Sequence, residues 1–405
     1  MPPIQQNLIG LLVGFFALAI SIFRTDFFFT SRLRVYLLVA LAVFALVLVF
    51  GFVARLLGKR FWQGLFFLFV IETILYTTMV VFPAFYGSIL PVTGGVTRRA
   101  MDEVHRSLKM LHNRTWGNTV QHTLGQFDAQ VGYVLKPGAG VFGNHGFENR
   151  YEINSLGLRD SESALNNPEI VFLGDSFTMG WGVNQNEAFP QRVGALMAKK
   201  TLNAGISSFG TARELLLIDR LPLDSCRTLV VQYCENDAVE NAFFVSNKNR
   251  MYSEPRQFEN AQLRNDYGVY FFLKYTHTLF GEALKKIAEF FAPKPKQPSA
   301  LGSEATFENT ETSNFVDILS QIKARFGGQI VVVYVDAIGR PNKLLAFEQQ
   351  AKRRGIEGVV FLDVLTPLNN LQHGLVYDDH LNAAGHQHIA AQIAGYLKTA
   401  ERSGK

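Results

Sequence analysis

The chain has 405 residues, of which 48% are hydrophobic, and it carries a formal net charge of +5 at pH 7. This length is sufficient for a large core and at least one substantial domain. Because the positive excess is modest and no lysine- and arginine-rich run interleaves with aromatic residues, the composition argues against a nucleic-acid-binding protein.

Three apolar stretches occupy the first 90 residues, at 8–23, 35–54 and 61–85. The second has about 20 residues without a charge, which at ~1.5 Å per residue crosses a hydrocarbon core of ~30 Å. Buried core helices are one alternative, and a signal peptide is another for the first stretch, but no small-residue cleavage site follows it. We therefore predict three transmembrane helices in residues 1–90. Glu72 lies in the third stretch, where we interpret it as structural.

Residues 91–165 are expected to form a connecting segment. A helical stretch is predicted at 99–113 and is followed by "FDAQVGYVLKPGAGVFGNHGFENRYEINSLGLRD". The glycines, aromatic residues and alternation of this sequence predict short strands and turns.

From residue 170 onward, short apolar runs alternate with helix-like segments. Strands are predicted at 170–173, 201–203, 229–233, 330–335 and 359–362, and helices at 189–199, 211–220, 343–354 and 383–397. Apolar strands that alternate with helices indicate a parallel sheet buried on both faces, in a three-layer α/β/α sandwich over residues 166–400. An insertion is predicted at about 240–328, with an aromatic helical stretch at 267–291 followed by a mobile loop, "PKPKQPSALGSEATFENTET".

Polar residues follow the predicted strands at the points where these strands end. Asp175 and Ser176 follow the first strand, "NAGISS" follows the second, "END" follows the third, and "YDDHLNAAGH" precedes the last helix. In an α/β sheet such residues meet at the carboxyl edge of the strands. The pattern thus brings a serine, an asparagine and an Asp/His pair together.

The blocks "GDSF", "NAGISS", "END" and "DDH" occur in the order that is typical of the SGNH/GDSL hydrolases, and the last 250 or so residues resemble this family. "YEINSLGLRDSE" is similar to the segment that precedes the hydrolase domain in membrane-anchored members. The resemblance implies that Ser176 is the nucleophile and that His380 is the base that activates it. It implies an oxyanion hole formed by the Ser176 N–H, a backbone N–H of the second block and the Asn236 amide.

Two positions depart from the family pattern. The commonest spacing is Asp-x-x-His, but Tyr377 stands three residues before His380. We assign the acid to Asp378, because its spacing is similar to that of alginate O-acetylating relatives, and interpret Asp379 as a solvated neighbour. In the second block the family glycine falls on Ser208, whose backbone can still donate a hydrogen bond.

Other polar residues near these blocks are given structural roles. Asp175 is expected to orient its turn, Glu235 and Asp237 to border the site, and His386 and His388 to pack or lie at the surface. The histidines and the two cysteines form no ligand-spaced set, so no metal or other cofactor is expected.

The sequence thus predicts a membrane-anchored serine esterase that removes acyl, chiefly acetyl, groups from a cell-envelope glycan. Acyl transfer to a sugar hydroxyl is a second reading, and a catalytically silent binding module is a third. The basic residues that flank the apolar stretches are balanced, with Arg98 and Arg99 slightly favouring a cytoplasmic C-terminal part. Because long domains translocate largely regardless of charge and the expected substrate is external, we predict an extracytoplasmic catalytic domain.

Overall fold

The computed structural model describes residues 54–89, 120–144, 147–251, 254–256, 258–259, 300–375 and 378–403, together with positions 13, 49, 51 and 52. The chain divides into two compact units, Met1–Trp116 with Glu254–Ala292 and Gly117–Ser253 with Pro293–Lys405. Helix α1 (Lys59–Ile89) belongs to the first unit and contains the third apolar stretch.

The predicted stretches 8–23 and 35–54 lie almost entirely outside the described residues, as do the predicted helices at 99–113 and 267–291. Among the helices that the structure describes, none combines the length and apolarity needed to cross a membrane. The third predicted transmembrane helix lies in α1 and is therefore not supported by the structure, whereas the first two stay a prediction, as do the domain boundaries.

The second unit begins with helix α2 (Val120–Leu124) and two antiparallel hairpins. The first hairpin pairs β1 (Gly125–Asp128) with β2 (Gly132–Leu135), and the second pairs β3 (Gly138–Asn144) with β4 (Phe147–Ile153). Short strands thus occur where the alternating, glycine-rich sequence predicts them.

The centre of this unit is a five-stranded parallel sheet with the order β6-β5-β7-β8-β9. Its strands are β5 (Ile170–Gly174), β6 (Thr201–Gly205), β7 (Thr228–Tyr233), β8 (Gln329–Tyr334) and β9 (Val359–Leu362). All pairings are parallel. The α/β sandwich with a parallel sheet that the alternation predicts is confirmed.

Helices cover both faces of the sheet. On one face α4 (Phe189–Met197) packs with α10 (Ala383–Arg402) over a core that includes Phe172 and Val331. The short helix α9 (Asn370–His373) precedes α10 and contacts it. The opposite face carries α5 (Thr211–Ile218), α6 (Asp237–Ser246), α7 (Ala300–Arg325) and α8 (Leu344–Arg353). There Tyr233 packs edge-on against Phe315 and Phe347, at centroid distances of 4.8 and 4.7 Å.

The interval between β7 and β8 differs from the sequence prediction in one respect. Residues 300–312, predicted to lie in a mobile loop, are helical and belong to α7. Buried Glu311 explains part of the difference, because its carboxylate accepts hydrogen bonds from Tyr233 Oη at 2.6 Å and from Lys343 Nζ at 2.8 Å. The composition of this segment is typical of a loop, but these partners come from distant parts of the chain.

A short helix, α3 (Ser176–Met179), follows β5 and lies against the end of β6. A Cβ atom on Gly205 would lie only 2.4 Å from the Met179 nitrogen and 2.8 Å from the Thr178 carbonyl carbon. The glycine of the "NAG" block therefore allows the backbone of α3 to contact the backbone of β6 directly.

Candidate active site

Ser176 stands at the carboxyl end of β5, where three side chains fix the local backbone. Asp175 Oδ1 accepts a hydrogen bond from the Phe177 N–H at 2.9 Å, which caps α3. Gln232 Oε1, on the neighbouring strand β7, accepts from the Asp175 N–H at 3.0 Å and from Thr178 Oγ1 at 2.9 Å. Because both ends of this turn are bonded to the sheet, the position of Ser176 is set by the sheet itself.

A chain of hydrogen bonds connects Ser176, His380 and Asp378. Ser176 Oγ lies 2.6 Å from His380 Nε2, and His380 Nδ1 is hydrogen-bonded to Asp378 Oδ1. Asp378 Oδ1 also accepts from the His380 backbone N–H at 3.1 Å. With the carboxylate on Nδ1, the neutral imidazole keeps its proton there and offers Nε2 as an acceptor for the serine proton. Asp379 borders the cavity described below but does not take part in this series of hydrogen bonds.

The pKa values of Asp378 and His380 suit this arrangement. Burial opposes the charged imidazolium, but the negative charge and hydrogen bond of Asp378, with Asp175 and Asp379, raise the pKa of His380 above its usual 6.5. Burial opposes ionisation of Asp378, yet His380 and the Trp181 N–H lower its pKa to about 2. The imidazolium that forms when His380 takes a proton would thus lie beside a carboxylate.

Backbone geometry around Ser208 suits an oxyanion donor. Ser208 adopts a left-handed conformation, with φ of +63°, at the position where the family carries glycine. Tyr133 Oη donates to the Ser207 carbonyl, and Arg213 donates to the Ser208 carbonyl. Since N–H and C=O point in opposite directions across a trans peptide, the Ser208 N–H points away from Tyr133.

A cavity of about 300 Å³ brings the predicted site residues together. Asn236, predicted to donate its amide, lies here and bonds to Asp175 Oδ2 at 3.3 Å. The lining comprises Asp175, Ser176, Phe177, Trp181, Ser207, Ser208, Cys234, Asn236, Asp336, Ala337, Arg340, Asp379 and His380. The structure thus assembles these residues at one edge of the sheet, while their catalytic roles stay a prediction.

The residues given structural roles have well-defined partners. Asp237 accepts from the Thr211 N–H and hydroxyl, and Glu235 pairs with Arg340 at 2.9 Å. His386 is buried and accepts from the Phe189 N–H at 3.2 Å, while His388 lies 3.3 Å from the Thr366 carbonyl. In the part of the chain that the structure describes, no three or more His, Cys, Asp or Glu side chains are grouped to hold a metal ion.

Four residues that contact the candidate site or the turns that form it were not predicted from the sequence: Tyr133, Arg159, Trp181 and Arg340. Trp181 follows Ser176 by five positions, and Arg159 lies in the "NSLGLRD" block. The resemblance of that block to other members was the available signal, although it gave no indication of which atoms the block contacts.

The GDSL-like Lipase/Acylhydrolase family model matches residues 172–388, from β5 into α10. The chain belongs to this family. It is therefore a GDSL-type hydrolase that acts on ester bonds, and the parallel sheet and strand-end serine are the expected family architecture. A comparison with curated proteins gives no match.

Solved structures of several other proteins are similar to this chain at low sequence identity. They include a G-D-S-L family protein from Desulfitobacterium hafniense (12% identity, 56% of this chain and 99% of that chain, TM-score 0.33). An acetyl xylan esterase from Butyrivibrio proteoclasticus has 13% identity over 65% of this chain and 68% of its own, with a TM-score of 0.34. An extracellular lipase from Streptomyces rimosus has 14% identity over 57% of this chain and 98% of its own, with a TM-score of 0.28.

Proposed function

We propose that this GDSL hydrolase is a membrane-anchored serine esterase that removes acetyl groups from a cell-envelope glycan. The observation that carries the proposal is the 2.6 Å contact between Ser176 Oγ and His380 Nε2, with Asp378 on the other imidazole nitrogen. An intact nucleophile, base and acid argue against a silent binding module, because such a module has no need of this hydrogen-bonded order.

In the proposed reaction Ser176 Oγ attacks the ester carbonyl carbon while its proton passes to His380 Nε2. The oxyanion accepts hydrogen bonds from the Ser176 and Ser208 N–H groups and the Asn236 amide, each worth about 3 kcal/mol. His380 then protonates the alcohol oxygen as its bond to the acyl carbon breaks. Water, deprotonated by His380, releases acetate from the acyl-serine and returns the proton to Ser176. If a sugar hydroxyl takes the place of water, the same intermediate gives acyl transfer.

The polar rim of the cavity supports a neutral, hydroxyl-rich alcohol as the substrate. Arg340 lines both this cavity and a neighbouring one of about 250 Å³. Its Nη1 donates to Glu235 at 2.9 Å and to Asp336 at 3.1 Å, so its charge is already compensated. A phosphate would meet two carboxylates here, whereas sugar hydroxyls can donate to carboxylates and accept from a guanidinium.

Membrane attachment is supported by the apolar stretches at 8–23 and 35–54 and by the surface of α1. Trp62, Phe66, Phe67 and Phe69 are all exposed on this helix. Aromatic side chains in such numbers on a solvent-facing helix are typical of a surface that lipid or another protein covers. We place the catalytic unit outside the cytoplasm, where envelope glycans are found.

The nucleophile is tested by Ser176→Ala, with Ser207→Ala as a matched control in the same cavity. Wild type and Ser207→Ala should hydrolyse p-nitrophenyl acetate and be labelled at Ser176 by a fluorophosphonate probe. Ser176→Ala should lose both properties while its circular dichroism spectrum is unchanged. Labelling elsewhere, or undiminished turnover in Ser176→Ala, would contradict the assignment.

The substrate class is tested with Arg340→Gln, using the exposed Arg353→Gln as the control. We expect KM to rise for glucose pentaacetate but to stay the same for p-nitrophenyl acetate, which has no sugar. Release of free acetate and formation of acetylated sugar are followed together, so that hydrolysis and transfer are distinguished. A parallel rise of both KM values would contradict a role of Arg340 in sugar binding.

Orientation is tested with reporters fused after Lys405. Alkaline phosphatase, which is active outside the cytoplasm, should be active, and a fluorescent protein that matures only in the cytoplasm should stay dark. The reverse result would overturn the envelope substrate while leaving the ester chemistry in place.

A further inference from the structure

Trp181 contacts both the acid and the base of the candidate site. Its indole Nε1–H donates to Asp378 Oδ2 at 2.8 Å. Its ring stacks on the His380 imidazole, with centroids 5.2 Å apart and planes 23° apart. Since His380 holds Oδ1 of the same carboxylate, the two oxygens of Asp378 are bonded to different partners. This arrangement fixes the rotation of the carboxylate about its Cβ–Cγ bond.

The turn that carries Trp181 is held by a single buried arginine. Arg159 has 0% exposure, and its Nη1 donates to the carbonyls of Met179 and Gly180 while Nη2 donates to that of Val183 at 2.7 Å. One guanidinium therefore binds three carbonyls on both sides of Trp181. A lysine could not span them in the same plane.

The β3–β4 hairpin, which precedes the parallel sheet in the sequence, also contacts Arg159 and Trp181. The Arg159 guanidinium lies 3.7 Å from the centre of the Tyr151 ring on β4, a cation–π contact. Phe142 on β3 packs edge-on against the Trp181 ring at 4.8 Å. The β3–β4 hairpin and the "NSLGLRD" block thus pack against Trp181 and its turn, next to Asp378.

We propose that Trp181, held by Arg159, is a positioning residue that keeps the Asp378 carboxylate directed at His380 Nδ1. The inference rests on the proposed roles of Ser176, His380 and Asp378. Arg159 acts through Trp181, and the β3–β4 hairpin with the "NSLGLRD" block completes the acid side of the site.

The test replaces the indole N–H while keeping an aromatic ring. Two variants are used: Trp181→Phe, and a protein with 3-benzothienylalanine at position 181, in which sulfur replaces N–H in a ring of the same shape. In both, kcat for p-nitrophenyl acetate should fall roughly tenfold to a hundredfold, the range that a hydrogen bond to a charged group contributes. KM should change less than twofold. Trp62→Phe, the same substitution at an exposed position, should leave kcat unchanged.

Two readouts distinguish positioning from a packing role. The downfield proton resonance of His380 Nδ1–H should move upfield in the benzothienyl protein, because the carboxylate no longer faces the ring squarely. The pKa of His380 in the pH profile of kcat/KM should fall for the same reason. A benzothienyl protein with wild-type kcat, resonance and profile would overturn the proposal.

The link to Arg159 is tested by a double-mutant cycle. If Arg159 acts through Trp181, the loss of kcat in Arg159→Lys/Trp181→Phe should be no greater than in the more impaired single variant. Additive losses would overturn the role of Arg159.

If the wild type fails to react with the fluorophosphonate, the proposed function fails, whereas a reactive wild type with an unimpaired Trp181→Phe contradicts the positioning role alone.

Discussion

Asp378 and Glu214 are both buried in the second unit, with exposures of 6% and 0%. The pKa of Asp378 is lowered to about 2, whereas that of Glu214 is raised well above its usual 4.5. Burial opposes the charged form of both groups and is the largest effect on each. Asp378 overcomes it through His380 and the Trp181 N–H, while the neighbouring charges of Asp237 and Asp175 add to it for Glu214.

The difference between the two carboxyl groups lies in their hydrogen-bond donors. Asp378 accepts from a ring N–H, a backbone N–H and an indole N–H. Neither oxygen of Glu214 has a hydrogen-bond partner among the described residues. Removal from water therefore does not decide whether a buried acid is charged; the donors that replace water decide it. Asp378 can serve a cationic intermediate, while Glu214 is stable only as a neutral acid.

The largest expected effect comes from removing the charge of the first group. Asp378→Asn should lower kcat by roughly 10³ to 10⁴, because the amide no longer fixes the His380 tautomer or stabilises the imidazolium. Asp379→Asn is the control, since its carboxylate is outside the hydrogen-bonded chain and should cost little. Turnover of p-nitrophenyl acetate measures both. A larger loss in Asp379→Asn would reverse the assignment of the acid.

An intermediate effect is expected from pH. His380 must be neutral to accept the serine proton, and its pKa is raised. The value of kcat/KM should therefore rise about tenfold per pH unit up to a pKa above 6.5 and then level off. The measurement is a pH profile with p-nitrophenyl acetate. A rise that ends below pH 6.5 would show that Asp378 does not stabilise the charged ring.

The smallest effect, on stability, is expected from the second group. In the unfolded wild type the Glu214 carboxyl group ionises from about pH 4.5, whereas in the folded protein it keeps its proton up to the raised pKa. In Glu214→Gln the amide has no proton to lose in either state. Wild type should therefore lose stability relative to Glu214→Gln as pH rises through that window, by about 1.4 kcal/mol per pH unit. Urea unfolding at pH 4 and pH 8 measures the difference.

The exposed Glu357→Gln is the control for this experiment, because the Glu357 side chain is exposed to water in the folded as well as in the unfolded protein. A constant difference between wild type and Glu214→Gln at all pH values would mean that Glu214 is ionised in the folded protein.

The two groups also show what the sequence could reveal. The strands at 170–173 and 229–233 were predictable because continuous apolar runs are typical of a sheet covered on both faces. The position of Asp378 beside His380 was predictable because its two-residue spacing from His380 is similar to that of alginate O-acetylating relatives. Glu214 lies in "TARELLLI", which predicts a helix but gives no sign that this glutamate is buried.

Burial of Glu214 and the contacts of Arg159 and Trp181 depend on side chains that are distant in the chain. Trp181 and Asp378 are 197 residues apart, and Arg159 binds carbonyls 20 to 24 positions away. Periodicity reports which residues share a face of one element, and it contains no information on which atoms meet across elements. The helical residues 300–312 were missed for the same reason.

The contact between Gly205 and the helix that begins at Ser176 bears on motion as well as on position. Two main chains meet there, and the nearest side-chain atom is the Thr178 Cβ, which a change of rotamer does not move. Rotamer changes of side chains occur within picoseconds to nanoseconds, but no rotatable group lies in this contact to transmit them. The serine should thus keep its place relative to β6 on the timescale at which the surrounding side chains fluctuate, and any displacement of it would require a slower, collective movement of the sheet edge.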